Sequence, residues 1–112
     1  MNNRKHARVS VDLPVKIYLS GGDSVNARFS DLSEAGAGIV YPVAADPGVV
    51  LSLQFQLHGK NARHTINVKG QVMHNFLYHD EYIIGVQFVD ISLEQRSLLI
   101  AYLSYLRKLR SS

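Results

Sequence analysis

Along the first part of the chain apolar and polar residues alternate. In Val9-Ser10-Val11-Asp12-Leu13-Pro14-Val15-Lys16-Ile17-Tyr18-Leu19 every odd position is apolar and nearly every even one polar, the two-residue period of a strand with one buried face. Pro14 cannot donate to a ladder and predicts an edge or a bulge there. Ser20-Gly21-Gly22-Asp23 is a turn cluster, and its Gly-Gly pair suits a tight hairpin. The chain returns through Val25, Ala27 and Phe29, again on alternate positions. Asp31-Leu32-Ser33-Glu34-Ala35-Gly36 interrupts the pattern, and Ala37 to Tyr41 resumes it as a third strand. Beyond the Pro42–Gly48 loop, Val49, Leu51, Leu53, Phe55 and Leu57 mark a fourth strand. His58 to His64 is a polar connection. Ile66, Val68, Gly70 and Val72 then mark a fifth strand, with Gly70 a candidate bulge or point of close approach. Tyr78-His79-Asp80-Glu81 turns the chain into a sixth strand, Tyr82 to Val89.

The period then lengthens. Ser92 followed by Gln95 has the spacing of a capping box. Leu99, Tyr102, Leu106 and Leu109 recur at steps of three and four, one apolar stripe of a helix. The spacing predicts a helix over about 92–110, with Leu103 and Tyr105 off that stripe. Short strands joined by turns and closed by one helix define an all-β chain with a C-terminal helix, a six-stranded antiparallel barrel.

Composition narrows the function. At 112 residues the chain has the length of one domain, and its 46% hydrophobic and 19% charged content argues against disorder. There is no cysteine, so disulfides, thiolate catalysis and zinc–cysteine sites are excluded. No apolar run is long enough for a membrane-spanning helix, and the basic N-terminus leads into no apolar stretch, so no signal peptide is expected. A cytoplasmic domain without membrane insertion is the expectation. Hydrolase elbows, phosphate-binding loops and His-Glu-x-x-His segments are absent. The five histidines share no ligand spacing, and loop solvation accounts for them. Neither an enzyme nor a metal or cofactor site is expected.

The net charge of +3 matters through its placement. Arg107, Lys108 and Arg110 sit where cations complement a helix C-terminus. Arg4, Lys5 and Arg8 lie outside any helical pattern, which raises an anionic partner. Arginine presents a planar fork to phosphate or to the O6 and N7 acceptors of guanine. Asp31 supplies an acceptor suited to guanine's N1–H and amino donors, and the Ser33 hydroxyl serves a base edge or a phosphate. Gly36 lets a ligand approach the backbone. Taken singly, the same residues read as a solvated tail and a hydrogen-bonded turn.

Together, Arg4-Lys5-His6-Ala7-Arg8 and Asp31-Leu32-Ser33-Glu34-Ala35-Gly36 resemble the paired Arg-x-x-x-Arg and Asp/Asn-x-Ser-x-x-Gly motifs of the PilZ domain family, bacterial receptors for cyclic di-GMP. The similarity extends through Gly70-Gln71-Val72 and Ile84-Gly85-Val86-Gln87-Phe88, in family order. The resemblance implies a barrel, residues 9–112, that binds cyclic di-GMP on its outer surface, with residues 1–8 as a flexible arm. Arg4 and Arg8 would grip phosphates and the guanine edge, Asp31 and Ser33 would bond the guanine, and Gly36 would allow close packing. It further implies that the ordered arm makes a surface for an unidentified effector protein controlling motility, exopolysaccharide or biofilm output. Two other functions remain open: a barrel for single-stranded nucleic acid, which is not the expectation because the cations lie at the chain ends, and an adaptor working through protein contacts alone.

Overall fold

A computed structural model describes residues 7–59 and 61–111. Six strands, β1 (Val9–Tyr18), β2 (Ser24–Leu32), β3 (Gly36–Tyr41), β4 (Val50–His58), β5 (Arg63–Tyr78) and β6 (Glu81–Asp90), precede one helix, α1 (Leu93–Ser111). The strands close into an antiparallel barrel in the order β1-β2-β3-β6-β5-β4. Alternation dictates which side chains point inward. Val15, Ile17, Ala27, Phe29, Leu53 and Phe55 are buried while their strand neighbours face outward. Phe29 meets Phe55 edge to face at 4.9 Å, and Phe55 stacks near Phe88 at 6.4 Å. Such pairs add about 0.5–1.5 kcal/mol beyond their buried area.

Both glycines of the first hairpin adopt positive φ, as the turn requires. Pro14 stands where it does no damage. It faces Arg28 on β2, and the β1–β4 ladder begins only at Val15↔Phe55. Gly70 lies at a register shift, the bulge its sequence position suggests.

Two elements differ from the sequence expectation. β5 continues past Val72 to Tyr78 as one sixteen-residue strand, which places His74 mid-strand instead of near a strand end. A second shift between Val72 and His74 breaks the alternation at Met73 and disguises the continuation. On α1 the deeply buried residues are Leu99 and Leu103, whereas Tyr102 and Leu106 are half-buried and Leu109 is 55% exposed. The helix therefore turns its Leu99–Leu103 edge to the barrel, and Leu103, off the predicted stripe, belongs to the core.

Ser92 caps α1, its hydroxyl accepting from the Gln95 amide N–H at 3.1 Å. The Gln95 side-chain oxygen accepts from the Asn67 backbone N–H at 2.6 Å and so ties the first turn to β5. At the far end the Arg107 guanidinium donates to the Ala7 carbonyl at 3.0 Å. The helix thus fastens the residue before Arg8.

Candidate ligand-binding site

Three ladders set one row of outward positions side by side. Asp31 pairs with Gly38, Gly38 with Gly85, and Gly85 with His74, across β2, β3, β6 and β5. The two middle positions carry no side chain, so the row is a trough floored by bare backbone. Adjacent strands lie about 4.8 Å apart, which puts the walls roughly 14 Å from each other along the sheet. The walls lean inward. A Cβ on Gly38 would lie 2.5 Å from the Asp31 carboxylate, and one on Gly85 would lie 2.2 Å from the His74 ring.

Bulges aim both walls. The β2–β3 register slips between Phe29 and Asp31, and the β5–β6 register slips between Val72 and His74. Each slip changes the phase of the residue that follows it, which is how bulges re-aim a side chain next to a site. Phe76 and Ile83, opposite one another one step along, extend the His74 side, and the His74 and Phe76 rings lie 4.8 Å apart. The resulting concavity has a volume of about 260 Å³ and is lined by Arg8, Asp31, Gly38, His74, Phe76, Ile83 and Gly85.

Charge enters at the rim. Arg8 donates from Nη1 to Asp31 Oδ1 at 2.6 Å, with both side chains partly solvated. A pair so exposed contributes roughly 0.2–1 kcal/mol. That is less than one charge-assisted bond to a ligand, about 1.5–3 kcal/mol. Ser30 donates to the other Asp31 oxygen at 3.3 Å and helps fix the carboxylate over Gly38.

The remaining motif residues occupy different places. Ser33 is 3% exposed. Its hydroxyl accepts from the backbone N–H groups of Ala35 and Gly36 at 3.2 and 3.1 Å and donates to the Gly36 carbonyl. The hydroxyl expected to meet a ligand is committed to the turn between β2 and β3. Gly36 pairs with Gln87, and a Cβ there would meet the Val86 carbonyl oxygen at 2.2 Å. Its lack of a side chain serves strand packing. Arg4 lies outside the described residues. Reasoning from sequence misses His74, Phe76, Gly38 and Gly85. The available signal is the pair of strand-interior glycines at 38 and 85, since glycine inside a strand marks close approach.

A closed antiparallel barrel with a terminal helix, bearing a glycine-floored trough and an arginine–aspartate rim on its outer wall, defines a small β-barrel binding module. The chain belongs to the PilZ domain family, whose model matches residues 2–105. An uncharacterized protein of Aquifex aeolicus (strain VF5) is 29% identical over 103 residues, covering 91% of this chain and 48% of that protein. The chain therefore spans about half the length of this curated relative. Among solved structures, the Bacillus subtilis inhibitor of motility MotI/DgrA superposes with a TM-score of 0.85 at 18% identity, covering 98% of this chain and 53% of that one. The PilZ domain of Escherichia coli YcgR with c-di-GMP superposes at 0.70 with 16% identity, covering 98% and 96%. These likenesses establish the six-stranded PilZ barrel with its C-terminal helix. No helix among the described residues is long and apolar enough to cross a membrane.

Proposed function

We propose that this chain is a cyclic di-GMP receptor that binds the nucleotide in the trough between Asp31 and His74. The observation that carries the reading is the Arg8–Asp31 pair set over the glycine floor. Family membership supports it, as do solved PilZ structures holding c-di-GMP in YcgR and in PlzA of Borreliella burgdorferi. Arg8 contributes a fork for a phosphate or for guanine O6 and N7, and Asp31 accepts from the guanine N1–H and amino group. A flat base reaches the glycine floor once the Asp31 carboxylate and the His74 ring, which lean over Gly38 and Gly85, swing aside. The rings of His74 and Phe76 wall its far side with aromatic surface. Arg4 completes the arginine set on the arm.

Ser33 and Gly36 act at one remove in this scheme. They hold the β2–β3 turn, and the turn sets the register that brings Asp31 beside Gly38. Ligand binding orders the arm against the barrel and creates a surface that an effector protein reads. The domain acts as a receptor and adaptor, not as a catalyst. Calorimetric titration with cyclic di-GMP tests this. Arg8→Ala and Asp31→Ala each weaken binding at least tenfold, ~1.4 kcal/mol, while the melting temperature holds. Unchanged affinity in either variant removes that residue from the site.

A further inference from the structure

A second concavity of the barrel lies away from the trough. It is a groove of about 410 Å³ on the arc formed by β2, β1, β4 and β5. Its origin is a parting of strands. β1 and β4 pair from Tyr18↔Ser52 to Val15↔Phe55 and no further. Beyond that point β1 stays with β2 and β4 stays with β5, so β4 from Gln56 to His58 has a strand partner on one side only among the described residues. The core side chains Leu13, Val15 and Phe55, all but buried, lie beneath it as its floor.

Its rim is cationic. Lys16 and Arg63 stand on the rim with His58, and no acidic side chain lines the groove. Neither Lys16 nor Arg63 has an ion-pair partner among the described residues. Asp12, on the same β1 strand, does not neutralise them, because Arg28 engages its carboxylate. Asn26 and Gln56 add side-chain amides with free donor and acceptor capacity, which match peptide groups. The lining contains no exposed aromatic ring, since Phe55 is buried. Stacking platforms for single-stranded nucleic acid are thus missing.

We propose that the β1–β4 groove binds an extended acidic segment of a partner protein. Carboxylates on the segment meet Lys16 and Arg63, its main chain meets the amides and the unpaired margin of β4, and its alternate apolar side chains rest on the Leu13–Phe55 floor. Strand addition of this kind takes affinity from main-chain bonds and specificity from alternate side chains. Surrounding charge sets the encounter rate and its salt dependence. The chemistry of the groove is independent of what the trough binds.

Fluorescence anisotropy on the full chain, with a labelled octapeptide alternating Glu and Val, tests the proposal. The expected result is saturable binding, weakened by added salt, and roughly tenfold weaker for the Gln/Val counterpart. The Lys16→Glu/Arg63→Glu variant loses the Glu/Val peptide but keeps wild-type cyclic di-GMP affinity and melting temperature. Lys16→Gln/Arg63→Gln provides a milder second variant with a smaller loss. Arg8→Ala leaves peptide binding intact. Absence of peptide binding, equal binding by the charge-reversed variant, or tighter binding of an oligothymidylate overturns the proposal.

Discussion

The trough and the groove occupy opposite arcs of one barrel wall and arise in different ways. In the trough neighbouring strands stay paired, across two bulges, from β2 through β3 and β6 to β5, and the hollow exists because Gly38 and Gly85 lack side chains. In the groove the ladder between β1 and β4 stops at Val15↔Phe55, and the hollow exists because backbone is missing between them. Charge differs likewise. Arg8 is matched by Asp31, so a ligand entering the trough must replace an existing partner in a defined geometry. Lys16 and Arg63 have no ion-pair partner among the described residues, so the groove attracts anions broadly and discriminates among them weakly. A continuous sheet with glycines reads shape, whereas a parted sheet with free cations reads charge.

Substitutions can separate these features, beginning with the most disruptive. Gly36→Ala places a Cβ 2.2 Å from the Val86 carbonyl oxygen, and backbone there cannot step aside cheaply. We expect a loss near 3 kcal/mol in urea denaturation, the upper end of ordinary overpacking. Such a loss would show that the β3–β6 ladder supporting the trough is rigid, and near-wild-type stability would show that it yields. Gly85→Ala meets the His74 ring instead, the movable end of a side chain. Stability then changes by less than about 1 kcal/mol, while cyclic di-GMP affinity falls several-fold as the ring shifts. Equal affinity would take His74 out of the trough wall.

Arg107→Ala tests the fastening of the arm. The lost bond to the Ala7 carbonyl is worth about 0.5–1.5 kcal/mol, a two- to tenfold weaker affinity. That loss vanishes when Arg8 is already Ala, because Arg107 acts by positioning Arg8; additive losses in the double variant would refute the coupling. The smallest effect concerns pH. Burial raises the Tyr102 hydroxyl above its ordinary pKa of 10.0, with Arg110 pulling the other way. The folded chain therefore keeps this proton where the unfolded chain releases it, and stability falls as pH rises beyond 10.0. Tyr102→Phe flattens that decline in denaturant melts taken on either side of this pH.

Much of the fold could be read from the alternation of apolar residues, because each strand buries one face. The reading fails wherever a bulge resets the phase. Met73 and His74 are consecutive outward residues, so the alternation of β5 stops there while the strand continues. Leu103, off the stripe, is buried for a related reason. A stripe drawn through Leu99, Tyr102 and Leu109 is a sound helical period, but the helix settles on its Leu99–Leu103 edge, and only packing decides between the two. At the candidate site, Arg8 and Asp31 lie together, whereas Ser33 spends its hydroxyl on its own turn. His74 and Gly38 are neighbours of Gly85 only through cross-strand register, which no local pattern encodes. The groove was invisible for the same reason, since strand divergence belongs to the closed sheet.

Closure of the cylinder depends on the short β1–β4 stitch between Val15 and Tyr18. It has four residue pairs, as does the bulged β2–β3 ladder, and the remaining ladders are longer. When the cylinder fluctuates, this stitch is the place to unzip, leaving a curled six-stranded sheet with two bare margins. Amide protons of Ile17 and Leu53 accordingly exchange with solvent before those of Ile39 and Ile84, and an intruding strand finds its easiest entry there.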